Sequence, residues 1–483
     1  MPDSGTPNTG LSARIAIVAV LLPNLVAILR SWGDLEHLLI DKLGPRWISV
    51  MVATSLAVLV LGYLLGAWVL YGKLATRLSL RMKLILGPLG LIALGIVGAY
   101  SAHALDPEPT PLYRAELEKW ADNLISAKGK QGGMRDSLRD SDSTEQVFTT
   151  AQGLVALLSV SEAAERHADS IRSAVQFIED SRRSEPQPGW GYWKQSPATV
   201  TEISAWVSLA KIASLKNKQL WEQTSRAKRL EEVERDLDDL VHTRVVGGGF
   251  TPFAFERPAA AYTRTYSTLM ALWAMVELRA HSAFQPKLDK KYLAECEEAV
   301  KWLLNRHESK GWVPNPHRRQ QGETYPGLSA QVLYVLNRAE QNPDFAFLKG
   351  NSIYKEAKLS FIRDEDFAKL SAASDSRMGS EDQHFPQAGG TEEGSTFQCQ
   401  QLEGMTFLWY PWALLTYKRL SEDESLLQSD RELARRRYDG LYNQHTIAIE
   451  QAEHGATYRL AESLFGLATA LKERPPGSVP EQK

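Results

Sequence analysis

Four glutamates fall near the starts of apolar, small-residue segments: Glu145, Glu202, Glu323 and Glu403. Aromatic and polar-aromatic side chains surround them in sequence, namely Trp190, Tyr192, Trp193, Trp206, Tyr262, Tyr266, Tyr325, Trp409 and Tyr458. Two carboxylates facing each other across an aromatic cleft can cleave a glycosidic bond, one as acid and one as base or nucleophile. Acids in the first turn of a helix also favour the macrodipole, a purely structural role. Asp142, in the polar run Asp140-Ser141-Asp142-Ser143, is a fifth candidate acid. A second group is basic: Arg257, Arg264, His317, Arg318 and Arg319, of which Arg264 and Arg318 are the leading candidates to hold an anionic ligand.

A repeated phrase positions these residues. Glycine-containing turns occur at Gln131-Gly132-Gly133, Gly189-Trp190-Gly191, Gly248-Gly249-Phe250 and Gly311-Trp312. Counted from Gly133, Gly189, Gly249 and Gly311, the steps are 56, 60 and 62 residues. About 16 residues after each turn an apolar stretch begins with small or hydroxyl residues, as in Thr149-Thr150-Ala151, Ser204-Ala205, Ser267-Thr268 and Ser329-Ala330. Two less regular units follow, one from Gly389-Gly390 to the stretch 406–417 and one from Gly455 to the stretch 460–471. Apolar spacing from residue 112 onward is helical, with almost no strand alternation. The alternate helices are more polar, for example Arg226 to Leu240. A two-helix unit cannot bury its apolar face alone, so the units must stack or close. Six pairs without a polar capping repeat favour closure into two concentric rings over an open solenoid.

The chain has 483 residues, a formal net charge of -3 and two cysteines, Cys296 and Cys399. The charge argues against a nucleic-acid partner. Residues 1–104 differ in character from the rest. The stretch 47–70 is uncharged and long enough to cross a ~30 Å hydrocarbon core at ~1.5 Å per residue. The stretches 84–100 and 15–29 are shorter. The expectation is a membrane region at 1–104 with two to three transmembrane helices. A proline-rich linker at 105–111, an all-α (α/α)6 toroid at 112–475 and a disordered tail at 476–483 complete it. Basic residues divide five against five between the two sides. The density of the cluster at 71–83 leans the toroid of this expected integral membrane protein to the non-cytoplasmic side.

The phrase of helix end, Gln or Lys, Gly-Trp or Gly-Gly, loop and small-residue helix resembles the repeats of the terpenoid cyclase and protein prenyltransferase superfamily. The resemblance covers roughly 112–475. It implies an α/α toroid whose cavity opens where the inner helices begin, and a greasy substrate. The motifs that carry the family's chemistry are absent. The Asp-x-Asp-Asp acid is broken at Ser143. The Asp-x-Cys zinc pair is missing around Cys399, and His384 and His454 offer no close spacing to it. No phosphate or dinucleotide fingerprint is present either, so neither metal nor cofactor is expected. Three functions stay open: binding, and with it processing, of an isoprenoid or lipid presented by the bilayer; carbohydrate chemistry through facing carboxylates; and a non-enzymatic scaffold binding a protein partner through the membrane region or the toroid.

Overall fold

The computed structural model describes residues 110–184, 187–196, 198–217, 220–254, 260–281, 291–317, 325–377 and 406–472. The chain divides into two units after Pro111. The second unit is built of helices. Six inner helices are α2 (Val147–Ser159), α5 (Thr201–Lys216), α7 (Thr265–Arg279), α9 (Pro326–Glu340), α12 (Tyr410–Glu422) and α15 (Thr457–Lys472). Each packs on the next, and α15 packs back on α2, so the ring is closed. The outer layer is α1 (Thr110–Ser126), α4 (Ala168–Asp180), α6 (Gln223–Val241), α8 (Leu293–Leu304), α10 (Ser352–Arg363) and α13 (Gln428–Tyr442). Short helices α3 (Ser161–Arg166), α11 (Glu365–Ala368) and α14 (His445–Glu453) join them. The architecture is an α/α toroid of six hairpins. Among the described residues two small antiparallel ribbons, β1 (Met134–Arg135) with β2 (Glu145–Gln146) and β3 (Asp375–Arg377) with β4 (Thr406–Leu408), decorate it.

The glycine turns and the hydroxyl residues prove to be two halves of one device. Gly132, Gly189, Gly248 and Gly311 all have positive φ. The backbone amide that follows each turn donates to a hydroxyl at the fourth position of the next inner helix. These bonds are Met134 to Thr150 (2.7 Å), Trp190 to Ser204 (3.1 Å), Phe250 to Thr268 (2.9 Å) and Trp312 to Ser329 (2.9 Å). A buried amide must be paired, and in each of the four repeats this hydroxyl does it. At the two Gly-Trp turns the indole also donates back to the outer helix, Trp190 to Ile178 O and Trp312 to Leu303 O, both at 2.7 Å.

Repeat is bonded to repeat by the first amides of the inner helices, which have no intrahelical acceptor. Val147 donates to Tyr192 O (2.8 Å), Thr201 to Pro252 O (2.9 Å) and Thr265 to Pro314 O (3.1 Å), each reaching the loop of the following unit. Thr457, in the last unit, donates to Asp136 O of the first at 2.6 Å. That bond seals the ring. Its centre is filled by aromatic rings: Trp273 packs edge-on against Trp206 (5.3 Å) and Trp412 (5.4 Å), with Phe465 at 5.8 Å.

One expectation is corrected. Among the described residues no helix is long and apolar enough to cross a membrane. The stretches 15–29, 47–70 and 84–100 lie outside the described residues. The reading of an integral membrane protein, with its side of the bilayer, finds no spanning helix among the described residues and is set aside.

Candidate functional site

At the end where the inner helices begin, two carboxyls are buried near the axis. Glu202 is the second residue of α5, and Ser267 of the neighbouring α7 donates to its Oε1 at 2.5 Å. Its other oxygen, Oε2, is buried without a hydrogen-bond partner. Burial pushes the acid up to about 7, against the weaker opposing pull of the Ser267 hydroxyl and the Arg264 charge. Glu462 lies one turn inside α15. Gln152 of α2 donates to Oε1 at 2.7 Å, and Trp412 of α12 donates to Oε2 at 2.8 Å. Burial raises it to about 8, opposed by the Trp412 hydrogen bond; the charge of Asp375 raises it further. Isolated carboxylates are costly to desolvate, and holding the proton is the cheaper response.

Tyr266, second residue of α7, feels the charge of both. Its hydroxyl accepts from Trp206 Nε1 at 3.1 Å. Its own acidity is suppressed first by burial, then by the charges of Glu462 and Glu202. Above this belt sit rings that are only partly buried. Phe148 packs edge-on against Tyr192 at 5.7 Å and lies 6.1 Å from Tyr458. Arg459 pairs with Asp375 of the β3–β4 ribbon beside Tyr458. The arrangement is a pair of acids of graded proton affinity under an aromatic rim. Such a pair can pass protons at neutral pH.

The other sequence candidates take different places. Glu145 clamps the first glycine turn, accepting from the amides of Gln131 (2.8 Å) and Gly133 (2.7 Å). Asp142 is exposed in a turn and accepts from Ser141 Oγ at 3.4 Å. Glu323, Glu403, Arg318, Arg319 and Arg257 lie outside the described residues, as do Cys399 and His384. Trp190 is core, beneath Arg182 and Lys211 at 5.5 Å each. Trp409 is also core, packed on Phe361 and Phe367 in the outer layer. Trp193 is exposed and Tyr262 half-buried in a 3-10 turn. Tyr325 meets Phe407 edge-on at 6.0 Å, and Phe407 meets Tyr266 at 5.4 Å, so these extend the rim. Arg264 is buried, its Nη1 donating to Thr263 O at 2.9 Å. His317 pairs with Thr263 Oγ1 at 2.8 Å, and burial lowers its proton affinity. Among the described residues no group of three His, Cys, Asp or Glu side chains could hold a metal ion.

Sequence reasoning missed Glu462. The spacing of the repeat points to acids at helix starts, and Glu462 lies one turn further in. The available signal was a lone glutamate inside the otherwise uncharged run Leu460-Ala461-Glu462-Ser463-Leu464 of an inner helix.

No family model matches the chain. No curated protein matches it. Solved structures do. Cellobiose 2-epimerase from Bacillus thermoamylovorans B4167 aligns over 74% of this chain and 99% of its own, at 9% identity and a TM-score of 0.50. A sugar epimerase from a ruminal bacterium aligns over 74% and 98%, at 10% identity and a TM-score of 0.49. The α-1,6-mannanase GH76A of Salegentibacter sp. HEL1_6 aligns over 74% and 100%, at 12% identity and a TM-score of 0.44. At such identities the likeness is one of fold. It corrects the resemblance drawn from the repeats: the α/α toroid stands, while its assignment to terpenoid cyclases, and the isoprenoid and lipid ligand that came with it, have no support among these structures.

Proposed function

We propose that the chain is a carbohydrate-active enzyme whose Glu202 and Glu462 exchange protons with a sugar bound at the mouth where the inner helices begin. The observation that carries the reading is the buried pair itself: Glu202 with an unpartnered Oε2, and Glu462 held by Gln152 and Trp412, both raised by burial into the neutral range. In glycoside hydrolysis Glu462, the more strongly protonated, gives its proton to the departing glycosidic oxygen. Glu202 takes a proton from the attacking water, and its unpartnered Oε2 is the atom for that task. The bond between the anomeric carbon and the leaving oxygen breaks as the water oxygen bonds to that carbon. The partly buried rings of Phe148, Tyr192 and Tyr458 offer apolar faces for a pyranose. The shared fold of sugar epimerases is consistent with a sugar here, and proton abstraction beside a sugar carbonyl would use the same two acids.

The test is product analysis with purified protein on α- and β-linked oligosaccharides, reading reducing ends and epimers together. Turnover that falls about 100-fold or more in Glu202→Gln supports the reading. Turnover untouched by that change, or none on any sugar, overturns it. A second reading is a scaffold without catalysis, favoured by one observation: Trp206 and Trp412 pack edge-on against Trp273 at the ring centre. Under it, Glu202→Gln and Glu462→Gln would raise stability and leave partner capture intact.

A further inference from the structure

A cavity lies at the end of the ring where the inner helices finish, and the acid pair plays no part in it. It measures about 540 Å³, within the ~300–1,000 Å³ of small-ligand sites. The last turns of α2, α5, α7, α9 and α15 line it. Its apolar wall is Trp273, Tyr334 and Phe465, the underside of the central plug. Trp273 is 2% exposed, and its indole N–H has no hydrogen-bond partner. An orphaned buried donor costs free energy and calls for an explanation.

The polar wall has an ion-paired centre, and Glu165 and Lys472 add one charge of each sign at its exposed edge. Glu277 receives Lys216 Nζ at 2.8 Å and Arg338 Nη2 at 2.7 Å. Burial would raise this acid, but Arg338 and Lys216 override burial and hold it at about 2. Ser159 and Thr469 add hydroxyls to the lining. The charge of the ligand follows from this balance. An anion must compete with Glu277 for Lys216 and Arg338 or take Lys472, whose charged form desolvation already disfavours, and it faces the negative ends of five helix dipoles. A cation must displace one of two basic partners already placed. A neutral ring with hydroxyls can accept from Lys216 and Arg338 and donate to Glu277 without breaking the bridge. Its C–H face meets the aromatic wall.

We propose that this cavity is a binding site for a neutral saccharide, separate from the mouth that carries Glu202 and Glu462. Calorimetric titration of the full chain with methyl glucoside, maltose and cellobiose tests it. Ala213 lines the cavity and is only partly buried, so Ala213→Trp fills the space without emptying the core. Lys216→Met removes one donor from a half-exposed position. Millimolar binding of at least one probe is expected. It should weaken at least tenfold in Ala213→Trp and several-fold in Lys216→Met, and persist in the Glu202→Gln/Glu462→Gln double variant. Three outcomes overturn the proposal: no probe binding at about 10 mM; binding lost in the double variant but kept in Ala213→Trp, which places the sugar at the other end; or phenylacetate binding where the neutral probes do not. Unchanged melting temperatures in the two cavity variants exclude misfolding as the cause of lost binding.

Discussion

A carboxyl such as Glu462, set among leucine and alanine on an inner helix, makes the fold sensitive to pH. Its proton affinity in the folded chain, about 8, exceeds the ordinary 4.5. The folded state therefore binds this proton more tightly than the unfolded chain does. The penalty for ionising it is absent at pH values below about 4.5, grows through neutrality and is complete above about 8. Each unit of displacement corresponds to about 1.4 kcal/mol. Glu462→Gln keeps the shape and removes the titration. Its melting temperature, relative to that of the parent chain, is expected to climb steadily from about pH 5 to about pH 8.5. A difference that stays constant across that range would count against a buried, titrating Glu462. Glu202→Gln should show a smaller rise ending near pH 7. Glu202 was legible in the sequence because it opens a helix in phase with the repeat. Glu462 was not, because nothing in one sequence says which face of an inner helix meets the ring's axis. The aromatic candidates divided for a related reason. An indole that donates to a neighbouring helix, as Trp190 does, is committed to the core, and its spacing does not reveal the partner.

The repeating element is a glycine turn locked to a hydroxyl, and its period could be read directly. Positive φ restricts the turn position to glycine, and the orphaned amide after it requires an acceptor at a fixed place. Gly311 has φ +128°, and a Cβ there would stand 2.1 Å from Ser329 Oγ. Gly311→Ala thus adds backbone strain to a collision with the very oxygen that Trp312 N–H needs. Ser329→Ala removes only that oxygen and is expected to cost about 1–3 kcal/mol, the penalty for a buried unpaired amide. Urea denaturation should rank Gly311→Ala as the more damaging of the two. The reverse order would mean that the turn relaxes at no cost. Ser204→Ala, which leaves Trp190 N–H unpaired, should resemble Ser329→Ala within about 1 kcal/mol, since the geometry is repeated.

For the molecule as a whole, the decisive property is closure. Six hairpins were countable from the sequence, but the bond from Thr457 to Asp136 joins positions 321 residues apart, and no local pattern announces it. An open solenoid shortened at one end loses one interface, whereas a closed ring loses two. Deleting α15, by truncation after Ala456, uncovers α2 and α12 together and removes Glu462. The shortened chain is expected to lose its cooperative thermal transition altogether. A cooperative transition lowered by only a few degrees would indicate that the ring is not a unit. Closure is also what brings acids from the second and sixth hairpins to one phenol, and the proposed chemistry depends on it. The pH dependence of kcat/KM on a turned-over sugar probes that chemistry most directly. The expected profile is a bell with its limbs near 7 and 8, the upper limb disappearing in Glu462→Gln. A profile flat from about pH 5 to about pH 9, or one unchanged by that substitution, would contradict the assignment of these two residues as the proton-transfer pair.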